Sequence, residues 1–298
     1  MGTGRGDVMR MLVFGAGYSG QAIGTQALVD GMTVAGTTRS ADKLPDLTRR
    51  GISPHIYSGD AISAELALAM RNTTHLVQSI PPGAEGDSLL RLTEGDLRRW
   101  FPALVWIGYL STVGVYGNHD GGWVDEESAC NPKSARALER VLAEKAWMEA
   151  GTSADVAVAV LRLSGIYGPG RNAFVNLAHG TAHRIIKKDQ VFNRIRVEDI
   201  GSATLYLAAA CTSGIFNVTD DEPAPPQDIV VEAARLMGVE PPPEQAFETA
   251  DMRPMARSFY SDNKRISNGK IRNLGFSFRF CNYRESLAEM WSAGHWKA

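Results

Sequence analysis

The twenty residues from Met11 to Asp30, MLVFGAGYSGQAIGTQALVD, constrain the fold more than any other stretch of the chain. Met11-Leu12-Val13-Phe14 is a short apolar run of the kind shown by a parallel strand buried on both faces. It runs into Gly15-Ala16-Gly17-Tyr18-Ser19-Gly20, after which Ala22, Ile23, Ala27 and Leu28 follow at helical spacing. The first glycine permits a tight turn, the second lets backbone approach a pyrophosphate, and the third lets the helix pack close on the strand. The helix then turns its unpaired amides and positive dipole end toward the phosphates. Gly-x-Gly-x-x-Gly recurs by chance, but here the strand before it and the helix after it supply the context of a dinucleotide site.

The next 130 or so residues alternate strand and helix signals, which implies a parallel sheet covered on both faces. Strands are expected at residues 32–37, 52–57 (interrupted by Pro54 and so near an edge), 75–80, 104–110 and 155–163. Helices are expected at 41–50, from a Ser63 cap through Met70, over 88–100 as one amphipathic element, and over 135–150. Beyond this the pattern loosens, with helices at 172–181, 197–211 and 226–237, a strand at 215–218, and a last amphipathic helix at 283–291.

Hydrophobic content of 44% and charged content of 21% in 298 residues are ordinary for a soluble globular enzyme with a large core. A net charge of −2 argues against nucleic acid or an anionic membrane as the main partner. No apolar run approaches the roughly 20 residues needed to cross a bilayer. Cys130, Cys211 and Cys281 are widely spaced and odd in number, which fits neither a disulfide framework nor a zinc knuckle and points to a reducing cytoplasm. The N-terminal MGTGRGDVMR lacks a signal-peptide core and is set aside as a flexible lead.

The second strand indicates which nucleotide binds. In NAD-selective folds an acid after that strand accepts hydrogen bonds from the ribose 2′-hydroxyl. Here the strand ends Thr37-Thr38-Arg39-Ser40, and Arg39 lies where a guanidinium would meet a 2′-phosphate, with Lys43 one turn on. NADP is therefore expected over NAD, with Thr38, Arg39 and Ser40 at the adenosine end. Asp60 is a candidate for the adenine amine, and Ser79, Ile80 and Pro81 for the nicotinamide ribose.

Leu110 to Glu127 reads LSTVGVYGNHDGGWVDEE, and RLSGIYGPGR (162–171), NRIRVEDI (193–200) and FNVTDDEP (216–223) follow in order. With the glycine motif, these resemble the extended short-chain dehydrogenase/reductase superfamily of NAD(P)-dependent sugar epimerases and dehydratases. The resemblance implies a Rossmann-type doubly wound sheet of about seven parallel strands with a small C-terminal substrate lobe. It divides the chain into residues 8–180, continued by 196–219, for the nucleotide domain, and 181–195 with 220–298 for the lobe. It also implies a site at the carboxyl ends of strands four to six, in line with the switch-point rule for open sheets.

Family chemistry uses Tyr-x-x-x-Lys on the helix after the Ser-Thr loop, the tyrosine exchanging a proton with substrate while hydride moves to or from the ring. Here that helix reads ARALERVLAEKAW. Anchored on Ala143-Glu144, it carries Arg136 at the tyrosine position and Arg140 at the lysine position, and no tyrosine lies between Tyr116 and Tyr167. An arginine does not shuttle protons at neutral pH, though it can hold ribose hydroxyls or an anionic substrate.

Ser111 and Thr112 end a central strand, either as catalytic hydroxyls or as turn formers. Tyr116 is the substitute phenol, placed by the resemblance at the pocket rim, and His119 in the same loop either titrates at working pH or is a solvent-facing histidine. Asp125, Glu126 and Glu127 rim the pocket or start a short helix. His179 and His183 would share one helical face, but no third ligand has suitable spacing and no metal is expected. Arg171, Arg194, Arg196, Arg253 and Arg257 are either surface charges or a cluster for a phosphorylated or carboxylated ligand. Asn263, Lys264 and Arg265 read as structural. Leu138, Val141, Leu142 and Trp147 give the helix at 135–150 an apolar surface that serves a homodimer or the core. Three functions fit: an NADP-dependent oxidoreductase or epimerase/dehydratase-like enzyme on a sugar nucleotide or similar polar metabolite, a catalytically silent NADP(H)-binding sensor, or a reductase that takes its proton from Tyr116, His119 or water.

Overall fold

A computed structural model describes residues 9–297. Residues 1–8, most of the lead set aside above and the start of the expected nucleotide domain, lie outside the described residues, as does Ala298. The chain divides into two compact units. Of the described residues, unit 1 comprises 9–112, 134–162 and 200–215, and unit 2 comprises 113–133, 163–199 and 216–297.

The central sheet has seven strands: β1 (Arg10–Phe14), β2 (Thr33–Thr38), β3 (Ser53–Ile56), β4 (His75–Gln78), β5 (Trp106–Thr112), β6 (Ala157–Leu163) and β7 (Gly214–Val218). Their order is β7-β6-β5-β4-β1-β2-β3, with the strand order reversing beside β1 as in other doubly wound sheets. Its parallel registers include Leu12 opposite Ala35 on one side and Leu76 on the other. β1 reads as a nearly unbroken apolar run after Arg10 because both of its faces are covered, and β4 (HLVQ) is buried throughout, its polar residues at its two ends. β3, with its proline, is the edge strand, as the sequence predicts.

Helices α1 (Tyr18–Val29), α2 (Leu44–Arg49), α3 (Ala64–Asn72), α4 (Ser88–Leu92), α5 (Leu97–Trp100) and α6 (Ala135–Ala154) belong to unit 1. Ser63 caps α3, its hydroxyl accepting from the Leu66 amide at 3.2 Å. The single helix expected over 88–100 is instead two short ones. Glu94 (φ 52°) and Gly95 (φ 70°) take the left-handed conformation, and Asp96 restarts the chain by accepting from the Arg99 amide at 3.1 Å. One core cluster runs under these helices, including Phe14, Tyr57, Leu76, Phe101, Ile107, Tyr109 and Trp147. On α6, Trp147 is absorbed into that core, whereas Leu138 and Leu142 stay half exposed.

Unit 2 is built from paired short strands: Gly165–Tyr167 with Arg194–Arg196, Arg184–Ile186 with Glu244–Ala246, and Trp123–Val124 with Arg265–Ile266. Tyr167, Phe174, Tyr283, Leu287 and Met290 form its main apolar cluster. The helix expected to carry both His179 and His183 ends at Ala178. His179 caps its C-terminus and His183 lies beyond it, so the shared helical face does not exist. Among the described residues no three His, Cys, Asp or Glu side chains are grouped to hold a metal, and no helix is long and apolar enough to cross a membrane.

Candidate cofactor site

The turn after β1 is fastened to β2. Thr37 accepts the Gly15 amide on its side chain and the Ala16 amide on its carbonyl, both at 2.8 Å. Gly15 sits at φ +85°, where a side chain is strained. A Cβ on Gly20 would lie 2.6 Å from the Gly15 carbonyl, so only glycine lets α1 approach this closely. A Cβ on Gly17 would meet nothing within 4 Å. No side chain caps α1 and its first turn carries no acid. An open approach to backbone at Gly17, at the positive end of an uncapped helix, fits a pyrophosphate.

Arg39 follows the end of β2, exposed and, among the described residues, with no hydrogen bond or ion pair, and Lys43 is exposed a turn later. Thr38 accepts from the Ser40 amide at 3.3 Å, which shapes the bend carrying Arg39. Asp60 is exposed and accepts from the Ser58 hydroxyl at 2.9 Å. After β4, Ile80 packs directly against the glycine turn: its Cγ1 would lie 2.8 Å from a Cβ on Gly15. Ser79 and Ile80 are half-buried and Pro81 is exposed. The candidate cofactor residues thus gather along the carboxyl ends of β1, β2 and β4.

The candidate catalytic residues are distributed differently. Ser111 is buried and its hydroxyl donates to Glu144 of α6. Glu144 also binds Arg162 of β6 through Nε at 3.2 and 3.3 Å and Nη2 at 2.7 Å. Thr112 is half-buried at the end of β5. Arg140 donates to the Leu110 carbonyl and lies 6.0 Å from the Tyr109 ring centroid, so it braces the strand end. Arg136, one turn earlier, is exposed.

Tyr116 belongs to unit 2. It is fully buried and donates to Asn217 Oδ1 at 2.8 Å, an interior position where the resemblance implied a rim. His119 Nε2 lies 3.1 Å from the Tyr116 carbonyl. Glu126 is half-buried, accepting the Asn217 amide at 2.7 Å, and burial raises its carboxyl above the ordinary range. Asp125 accepts from the Glu127 and Ser128 amides in an exposed turn, so these acids start no helix. Lys264 donates to the Gly117 carbonyl at 2.7 Å, the structural role read for it.

Of the five arginines considered together, Arg194, Arg196 and Arg257 are engaged separately. Arg194 is buried and donates to the carbonyls of Phe192, Ala224 and Pro225. Arg196 is buried against Glu198 and Glu289. Arg257 lies 4.9 Å from the Phe247 ring centroid, as does the Lys187 ammonium, and neither cation has a carboxylate partner among the described residues. Lys187 was missed from sequence because a lysine in a polar run carries no signal of its own. Glu144, which the motif comparison used only to set the helix register, is taken up by Ser111 and Arg162.

No family model matches the chain. A functionally unknown conserved protein from Silicibacter pomeroyi DSS superposes with a TM-score of 0.86 and 39% identity, over 96% of this chain and 99% of that one. UDP-glucose 4-epimerase from Thermus thermophilus, solved in complex with NAD, superposes at 0.75 with 22% identity, over 95% and 98%. Protein YeeZ of Escherichia coli (strain K12) is 27% identical over 288 residues, 91% of this chain and 96% of YeeZ. The fold is that of the NAD-dependent epimerases and dehydratases of the short-chain dehydrogenase/reductase superfamily, as the motifs implied. Within that fold, the chain belongs to one family with the conserved Silicibacter pomeroyi protein.

Proposed function

We propose that this protein is an NADP(H)-dependent oxidoreductase or epimerase/dehydratase-like enzyme acting on a polar, phosphorylated or carboxylated metabolite such as a sugar nucleotide, with a proton-transfer group other than a Tyr-Lys pair. The observation that carries it is the glycine turn: backbone open at Gly17, tight where Gly15 and Gly20 must be glycine, and followed by an exposed Arg39 at the tip of β2. Unit 1 is taken as the nucleotide-binding part and unit 2 as the substrate part.

In this reading the amides at the start of α1 hold the pyrophosphate, Thr38, Arg39 and Ser40 hold the 2′-phosphate end, and Ser79, Ile80 and Pro81 flank the nicotinamide ribose. The bound nucleotide supplies hydride chemistry. Ser111 and Tyr116 hold Glu144 and Asn217, so the proton-transfer group is sought elsewhere than in these two hydroxyls. Lys187 and Arg257, both against Phe247 and held by the Tyr260 and Ala250 carbonyls but paired with no carboxylate among the described residues, favour an anionic substrate group in unit 2. We place the protein in the cytoplasm, where its three free thiols suit a reducing medium.

The sensor reading is favoured by one observation: both helix positions of the proton-transfer dyad are arginines, one exposed and the other bracing Leu110. Titration with NADPH and NADH by nicotinamide fluorescence, followed by turnover against carbonyl compounds and sugar nucleotides, separates the two. NADPH binding with oxidation by one substrate class supports the enzyme. Binding with neither nucleotide oxidation nor any epimerised or dehydrated product supports the sensor, and binding of neither nucleotide removes both.

A further inference from the structure

Asp87 is buried at the N-cap of α4, 5% exposed, and among the described residues no cation is paired with it. Its Oδ1 accepts the Leu89 amide at 2.9 Å and the Leu90 amide at 3.2 Å. Both carboxylate oxygens also accept from Gln78 Nε2, at 3.0 and 2.9 Å. Gln78, fully buried at the end of β4, turns its Oε1 to accept the Ile80 amide at 3.1 Å. Ile80 is the residue packed on Gly15. A chain of hydrogen bonds therefore leads from a buried carboxylate to the turn that faces the glycine loop.

We propose that Asp87 and Gln78 are positioning residues that lock the Ser79–Pro81 turn at the nucleotide site, Asp87 by dictating which way the Gln78 amide points. This rests on the nucleotide-binding reading above. An ionised carboxylate only accepts hydrogen bonds, so Gln78 must offer it the NH2 group and is left with its carbonyl toward Ile80. An asparagine at 87 would cap α4 equally well, since both residue types are strong N-caps. It could also donate, however, and Gln78 would then be free to turn over and withdraw the acceptor from Ile80. A protonated Asp87 does the same.

The surroundings make that protonation accessible. Burial raises the Asp87 carboxyl above the ordinary range, against the hydrogen bonds that favour its ionised form. The Asp87 charge in turn acts on Tyr57 beyond β3 and on Tyr109 of β5, and the Trp147 indole of α6 approaches Asp87 without closing a hydrogen bond. Arg91 and Asp60 act in turn on Tyr57, and Arg140 and Glu144 on Tyr109. Burial raises both tyrosines, so they stay neutral while Asp87 titrates.

The test is Asp87→Asn, with Gln78→Leu as a second variant, read by hydrogen exchange at the Ile80 amide in cofactor-free protein and by NADPH affinity from pH 5.5 to 8. Asp87→Asn should speed Ile80 exchange about tenfold. It should weaken NADPH about fivefold, the equivalent of one hydrogen bond. On acidification the Ile80 protection factor and the NADPH affinity of wild-type protein should fall toward those of Asp87→Asn and Gln78→Leu. The ratio of wild type to variant, in which the intrinsic pH dependence of exchange and of the nucleotide phosphate cancels, therefore shrinks as the pH drops. A merely structural role would lower the melting temperature and leave that ratio constant with pH. Exchange and affinity within twofold of wild type at every pH overturn the proposal. If wild type takes up neither NADPH nor NADH, the proposed function falls, and the Ile80 exchange ratio of wild type to variant against pH still decides the lock.

Discussion

Glu144→Gln removes one charge from a pair whose side chains are each 4% exposed. Glu144 takes three contacts from Arg162 within 3.3 Å and one from the Ser111 hydroxyl. The amide keeps an acceptor for Ser111, so the loss falls on Arg162, left as a buried cation without a counter-ion. Breaking a buried pair from one side costs about 3–5 kcal/mol. For a chain of this length melting in one transition, an unfolding entropy of roughly 0.6 kcal/mol/K converts that to a fall of about 5–8 °C. Circular dichroism melts at neutral pH read it directly. The double variant Glu144→Leu with Arg162→Met should recover most of the loss, because an intact buried pair contributes little net stability over apolar side chains of similar size. A Glu144→Gln protein melting within a degree of wild type, or a double variant no better than the single, would refute the account of this cluster.

The glycine turn separates folding from binding: Gly17→Ala should melt like wild type and bind NADPH at least tenfold more weakly, whereas Gly20→Ala, with its Cβ 2.6 Å from a carbonyl, should lose folded protein. Arg39→Asp should reverse the NADPH over NADH preference by about tenfold or more, and an unchanged preference in fluorescence titrations would show that the 2′-phosphate is read elsewhere. Asp220 is buried with Oδ2 unpartnered, and burial raises its carboxyl well above the ordinary range despite Arg194 nearby. Its folded form thus holds a proton that the unfolded chain releases, so its contribution is complete at about pH 4 and fades as pH rises through the folded value. Asp220→Asn should therefore gain melting temperature relative to wild type between about pH 4 and 8. A constant difference would contradict that sign.

What the sequence determined by itself is local and periodic. The β1–glycine–α1 unit, the Ser63 cap, the proline-marked edge strand β3 and the missing dyad tyrosine are all legible because each depends on residues close together in the chain. The break of the 88–100 helix was legible too, in Glu94-Gly95-Asp96, but the amphipathic pattern on either side outweighed it. The tertiary structure alone decided how side chains distant in sequence are engaged. Ser111 meets Glu144 across 33 residues, Tyr116 meets Asn217 across 101, and Asp87 reaches the glycine loop only through Gln78 and Ile80. Hydroxyls and carboxylates look alike along a chain whether they face a ligand or a buried partner, since the difference lies in desolvation and in which acceptor the fold brings within about 3 Å.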